Sequence, residues 1–349
     1  MAGRQAQGRE EEEYRGPSNM RRADGTARWA FVTFLMLNDS YLPGALLVAY
    51  ALRKQGALAD LLCLVTPEIT ADARHALGLL FDYVLEVDRI YVPHARRQER
   101  QDRPYWFTRV NALRLGTDGD LGLAYDKVVV LDADLLPLRH YDHLFTLDTP
   151  AGILNESKSS VREVDPNGKY IIPPDMEQTG RWVWHRIYGA ICPHGHRIPP
   201  EITDRVKTDP TNMGLNGSLF VLAPSMEEFR DILIDVRRPD VSRLVSDRFE
   251  WPDMQYLTMR WSGKWTSIDV RFSGFSGYPM LSALFGTHYA GFKPWSFKKT
   301  KTMARWARHE DFRRWFGEYT AMITAYPELL QVKRLGGLLE QIEELGNGR

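Results

Sequence analysis

The sequence predicts an α/β protein with a mostly parallel, mixed sheet flanked by helices, and further helices at its C-terminal end. Three observations carry this. Short apolar runs alternate with segments of helical periodicity from Trp29 to Leu131. The runs are apolar at successive positions, as strands buried on both faces must be. Beyond about residue 300 the pattern is amphipathic and helical only.

The elements follow in order. Ala30 to Met36 reads as a buried strand, followed by Asn38, Asp39 and Ser40 as loop and cap residues. Leu42, Ala45, Leu46, Ala49 and Leu52 recur at helical spacing, and Gly56 ends that helix. Asp60 to Thr66 is a second strand, broken by Pro67. Thr70 caps a helix through Phe81, and Tyr83 to Val87 is a third strand. A basic loop with Arg96, Arg97, Arg100 and Arg103 precedes a helix from Trp106 to Leu115. Asp126 to Leu131 is the fourth and most apolar strand. Ser218 to Leu222 is a further strand and Met226 to Val236 a helix, with C-terminal helices over 303–325 and 327–345. No internal repeat is present.

These elements define a polar, disordered tail over residues 1–28, a domain over 29–300 and a helical extension over 301–349. Residues 155–210, rich in Pro, Gly, His and Trp, read as an insertion folded over one edge of the domain.

Composition narrows the function. Apolar residues make up 44% and charged residues 26% of the 349 positions, ordinary for a globular enzyme. Lys plus Arg and Asp plus Glu both total 45, so no global field argues for nucleic acid or an anionic membrane. No run of about 18 apolar residues suggests a membrane span, and the N-terminus does not read as a signal peptide. Cys63 and Cys192 form no disulfide framework, and Cys63 lies in an apolar run, which suits a cytoplasmic or other reducing compartment. Cys192, His194 and His196 invite a zinc reading, but their spacing fits no common site.

The chemistry centres on Asp132-Ala133-Asp134, which follows the fourth strand directly. In a mostly parallel sheet, ligands bind at the carboxyl ends of strands. If strand geometry persists, positions i and i+2 share a face. Two carboxylates on one face repel unless a cation lies between them, and a hard divalent ion fills its remaining positions with water or phosphate. Ala133 keeps the approach open. A solvated turn with two acids is the alternative reading of the same residues.

Several segments then converge. Ala30-Phe31-Val32-Thr33, Asn38 to Ala45, Leu64 to Pro67, Leu131 to Asp134, Leu215 to Ser225 and His288 to Trp295 stand in an order and spacing shared with one family. Over residues 29 to 300 the chain resembles the glycogenin-like retaining glycosyltransferases of family eight, which have a GT-A fold. The resemblance implies Asp132, Asp134 and His288 as metal ligands, with manganese favoured over magnesium by the mixed nitrogen and oxygen set. It implies a UDP-sugar as donor. Lys293 would pair with the diphosphate, and Gly291 would let backbone approach it. Asn38 and Tyr41 would line the nucleoside pocket. Arg109 and Ala133 would lie near the donor phosphate and sugar, Asn216 and Gly217 at the sugar hydroxyls, and Asp253 beside the sugar. Asp253, Lys293 and Arg109 are the candidate catalytic residues. The implied reaction is hexosyl transfer to an acceptor hydroxyl on a glycan or protein, and a homodimer would fit the family.

Two departures from the family pattern stand out. The family has Gln after the acid that Asp253 matches; here Met254 stands there and Gln255 follows. Methionine neither hydrogen-bonds strongly nor acts as a nucleophile. The insertion is also longer than in glycogenin, where an acid contacting the sugar should lie; Asn155 or Glu156 would take that place. Trp182, Trp184, His185 and Tyr188 in the insertion fit an acceptor platform or lid packing equally. A nucleotidyltransferase or a dinucleotide oxidoreductase would need a Gly-rich loop after the first strand, and Leu37-Asn38-Asp39-Ser40 is not one. A catalytically silent sugar-binding or scaffold protein is the alternative, with Met254 in its favour. Self-glycosylation needs an acceptor tyrosine that the sequence does not single out.

Overall fold

A computed structural model describes Tyr14 and residues 16–95, 100–154, 177–178, 181–182, 192–209, 211–275, 281–296 and 300–347. Seven strands form the main sheet: β1 (Trp29–Leu35), β2 (Asp60–Val65), β3 (Tyr83–Glu86), β4 (Lys127–Leu131), β6 (Ala151–Leu154), β9 (Leu215–Leu222) and β10 (Thr266–Ser267). Their order is β10-β6-β9-β4-β1-β2-β3. β9 runs antiparallel to both β4 and β6, and every other neighbouring pair in the main sheet is parallel. The sheet is therefore mostly parallel, as the uninterrupted apolar runs predict, with β9 as the strand that makes it mixed.

The central strands feed two cores. Trp29, Phe31 and Leu35 of β1, Leu61, Cys63 and Val65 of β2, and Val129 and Leu131 of β4 join one cluster. Ala30, Val32, Leu62, Leu64, Val128 and Val130 join the other. The period-2 alternation of strand side chains makes this division. The helix Leu42–Lys54 covers the first face, while the segment Arg103–Leu115 and the helices Met226–Asp235 and Pro252–Arg260 cover the second.

A smaller sheet contains β5 (Leu135–Pro137), β11 (Gly274–Phe275) and β12 (Gly286–His288). β12 lies between the other two, antiparallel to β5 and parallel to β11. A hairpin of β7 (Glu177–Gln178) and β8 (Arg181–Trp182) falls within the insertion. Asn155, Glu156, Trp184, His185, Tyr188, Arg96 and Arg97 lie outside the described residues.

The structure differs from the sequence reading at several points. Arg103–Leu115 is a run of 3-10 turns, opened by Pro104, rather than an α-helix from Trp106. Thr70 does cap the next helix, accepting from the Ala73 amide at 3.2 Å, but that helix ends at Gly78. Part of the segment read as a tail packs on the domain. Tyr14 and Met20 are buried, and Arg22 and Arg28 both pair with Asp126 at the start of β4. Their polarity hid this, because ion pairs and one aromatic anchor give no periodic signal. The C-terminal helices Glu310–Ala325 and Lys333–Asn347 place Phe312, Trp315, Tyr319, Met322 and Leu335 in the same core as the Leu42–Lys54 helix. Among the described residues no helix is long and apolar enough to cross a membrane.

Candidate metal and phosphate site

The site is assembled where β4 ends. Strand geometry stops at Leu131, and Asp132 to Leu135 form a turn closed by the Leu135 amide on the Asp132 carbonyl at 3.1 Å. The turn, rather than a continued strand, brings the two carboxylates to one side. The Asp132 amide donates to Ser218 O at 3.0 Å, so β9 fixes the start of the turn. The Asp134 carbonyl accepts from the Tyr289 amide at 2.9 Å, so β12 fixes its end.

This pairing brings in His288. The register of β12 on β5 sets His288 opposite Leu135, the residue after Asp134. His288 Nε2 lies 3.4 Å from Asp134 Oδ1. One ligand atom each from Asp132, Asp134 and His288 falls within 4.8 Å of the others, a spacing that suits one divalent ion. The Phe275 ring packs beside the imidazole, with ring centroids 5.2 Å apart.

Cations already surround the acids. Lys293 bonds to Asp134 Oδ2 and donates to the carbonyls of Tyr289 and Ala290 at 2.6 and 3.1 Å. Arg109 bridges two carboxylates: Nη2 lies 3.2 Å from Asp132 Oδ1, and Nε lies 2.8 Å from Asp253 Oδ2. Its Nη1 also donates to Gly217 O at 2.5 Å. Burial alone would raise the Asp134 carboxyl, but the Lys293 ammonium and His288 hold it well below the usual carboxylate range. Burial raises Asp132 and Asp253, with Arg109 opposing in both cases. The same burial would lower Lys293, yet Asp134 keeps it above its ordinary value.

Of the other expected residues, Tyr41 contacts Lys293, and Gly217 and Asp253 contact Arg109. Tyr41 is half-buried, with Lys293 Nζ 5.8 Å over its ring and Trp295 edge-on at 5.5 Å. Asn38 caps the turn after β1, its Oδ1 accepting from the Ser40 amide at 2.8 Å. The residue before it, Leu37, holds a φ of 67°, which costs energy for a side chain other than glycine. Asn216 is buried, its Oδ1 accepting from the Ser218 amide at 3.0 Å while Nδ2 has no hydrogen-bond partner. Asp253 is buried and its Oδ1 has none either. Gly291 is exposed, and a Cβ there would meet nothing within 4 Å. Gly217 is covered: a Cβ would lie 2.6 Å from Arg109 Nη1 and 2.8 Å from Met254 Cγ.

The Gln255 side chain is engaged with neighbouring backbone. It is fully buried, accepting from the Trp251 amide at 2.9 Å and donating to Asn212 O at 2.8 Å. Met254 packs over Gly217. Nor do Cys192, His194 and His196 converge on a metal. Cys192 Sγ faces the carbonyls of His196 and Arg197, whereas His194 Nε2 meets His143 Nε2 at 2.9 Å.

Two contributors escaped the sequence reading. Gly44, in the first turn of its helix, lets that helix approach Ala133; a Cβ would lie 2.1 Å from Ala133 O. A glycine directly after Pro43 at a helix start was the available signal. Arg100, 4.8 Å over the Trp106 ring and paired with Asp102 at 2.9 Å, lies close enough for its charge to act on Tyr41 and Asp134. Nothing in its spacing distinguished it from the other arginines of its loop.

No protein-family model matches the chain. An uncharacterised protein of Acanthamoeba polyphaga mimivirus is 26% identical over 278 residues, 77% of this chain and 83% of that protein. Glycogenin-1 of Caenorhabditis elegans is 38% identical over 120 residues, 34% of this chain and 26% of the relative. Galactinol synthase 1 of Ajuga reptans is 32% identical over 215 residues, 60% of this chain and 56% of the relative. The match thus spans about a quarter of that glycogenin and little more than half of that galactinol synthase. Among solved structures, a galactosyltransferase determined with donor and acceptor sugar analogues aligns over 82% of this chain and 94% of its own, with a TM-score of 0.50 at 14% identity. That likeness shows the fold.

Proposed function

We propose that this chain, a homologue of the glycogenins and galactinol synthases with the GT-A glycosyltransferase fold, is a metal-dependent glycosyltransferase. It moves a hexose or related sugar from a UDP-sugar to an acceptor hydroxyl on a glycan or protein, with retention at the anomeric carbon. The observation that carries this reading is the approach of Asp132, Asp134 and His288 within 4.8 Å, with Lys293 on the same carboxylate.

Asp132, Asp134 and His288 fit a divalent ion, manganese or magnesium, and would hold it. Such an ion supplies Lewis-acid stabilisation of a departing diphosphate. The rest belongs to the chain's own side chains. Lys293 pairs with a diphosphate oxygen as a point charge, and open space at Gly291 admits the phosphate to the backbone. Arg109 holds Asp132 and Asp253 in fixed relation. Sugar hydroxyls satisfy the unpartnered Asn216 Nδ2 and Asp253 Oδ1. Tyr41 and Asn38 flank the nucleoside. As the bond from the anomeric carbon to the diphosphate oxygen breaks, negative charge develops beside Lys293 and positive charge on the sugar beside Asp253; the acceptor oxygen attacks from the leaving-group face and its proton passes to the departing diphosphate oxygen.

Incubation with a panel of UDP-sugars and Mn2+, scored by UDP release and product chromatography, tests the reading. Asp134→Ala should lower turnover at least about a hundredfold. Undiminished activity in that variant or in EDTA rules out the site, and NMR showing an inverted anomeric centre rules out retention. The second reading, a UDP-sugar-binding protein with weak or no turnover, draws on Met254 packed over Gly217. UDP binding with Mn2+ but no UDP release from any donor would establish it.

A further inference from the structure

We infer that Trp306 and Trp315, on the C-terminal helices, are positioning residues that hold the Lys293 loop in place. β12 ends at His288, so the residues after it leave the sheet before Lys293 is reached. Three residues of this loop meet the helices Thr300–Trp306 and Glu310–Ala325 in turn. Tyr289 Oη donates to Asp311 O at 2.6 Å, and its ring stands edge-on to Phe312 at 5.4 Å. Phe292 packs on Trp306 with ring centroids 4.3 Å apart. Trp295 packs on Trp315 at 5.5 Å. Phe292 is the residue before Lys293, and Trp295 lies two residues after it. The lysine is therefore flanked on both sides by tryptophans from the extension.

The chemistry requires such support. A lysine is a point charge on a flexible four-carbon stem, so its backbone must be fixed for the ammonium to stay in register. An error of about 1 Å in a positioned group is costly to catalysis. Phe292 remains 58% exposed, so core burial does not account for its place; its ring packs on the Trp306 ring. Trp315, by contrast, is 2% exposed and anchors the far end of the clamp in the core shared with the Leu42–Lys54 helix. The extension thus acts on the site without touching the diphosphate. That Lys293 meets a diphosphate rests on the proposed function; the clamp does not.

Hydrogen–deuterium exchange on the full chain tests it, with Trp306→Ala, Trp306→Phe and Leu338→Ala. Leu338 lies in the last helix, packed in the same core, and serves as a control for loss of packing. Trp306→Ala should speed exchange of amides 289–296, Trp306→Phe should restore protection, and Leu338→Ala should leave that segment unchanged. Calorimetry should show Trp306→Ala weakening UDP binding in Mn2+ by about tenfold, as loss of a supporting residue does at other metal sites. Unchanged exchange over 289–296 in Trp306→Ala, or an equal rise in Leu338→Ala, overturns the clamp. If the unmodified chain fails to bind UDP with Mn2+, the functional reading falls, and the exchange comparison alone decides the clamp.

Discussion

At residue scale, close approach and charge are what the site depends on. Gly44 is the clearest case, because an added Cβ would lie 2.1 Å from the Ala133 carbonyl and 2.6 Å from the Trp295 ring. Backbone between two metal-ligand candidates cannot yield without moving both. Gly44→Ala should cost about 1–3 kcal/mol in urea unfolding and weaken Mn2+ binding as well; lost stability with unchanged Mn2+ affinity would show that the Asp132–Asp134 turn does not lean on this helix. Met254 and Gln255 teach the complementary point. The sequence shows a displaced glutamine, but only its hydrogen bonds to Trp251 and Asn212 show that it is committed to holding the helix start.

At element scale, the 3-10 turn Asp142–Thr146 and the turn closed by the His196 amide on the Pro193 carbonyl meet through a histidine pair. The Asp269 amide donates to His194 Nδ1 at 2.9 Å, so neutral His194 carries its proton on Nε2 and donates it to His143 Nε2 at 2.9 Å. Tyr14 stands edge-on to both rings, with Asp269 and Arg271 beside it. Burial, and then His143, push His194 down from 6.5 to about 4. A folded-state value below the unfolded one means the unfolded chain binds more protons between these limits. Stability from this group is complete above pH 6.5 and is lost as pH falls through about 4. Melting temperature should therefore fall over that window, and His194→Gln, which keeps an acceptor and a donor without titrating, should flatten the fall. Parallel curves for the two proteins would place the acid sensitivity elsewhere. The element itself was not legible: five residues of 3-10 helix and two isolated histidines show no period.

At the scale of the whole molecule, the two halves of the site belong to two sheets joined by one turn. Asp132 hangs from the main sheet through Ser218, and Asp134 from the small sheet through Tyr289. Ligands that engage both should therefore stabilise the whole fold. Because Lys293 already neutralises Asp134, Mn2+ alone and UDP alone should each shift melting only slightly, while the two together should shift it most. Saturation a hundredfold above Kd corresponds to about 2.7 kcal/mol. A full shift from Mn2+ alone would show that Lys293 does not compete for the carboxylate.

By itself the sequence determined the sheet and the place of the acids. Strands such as Val128 to Leu131 are apolar on both faces, which permits only burial between two layers, and Asp132 and Asp134 must then emerge at a strand end. His288, Lys293 and Arg109 were legible through family resemblance, as separate residues. Only the tertiary structure decided how they meet. β5, β11 and β12 span three, two and three residues, too short for any period, and their register is set by non-local pairing. That register sets His288 beside Asp134, and the packing of the last helices on residues 289–295 aims Lys293 at the same carboxylate. Contacts between residues some 150 positions apart depend on the chain's path through the core, which local propensity does not encode.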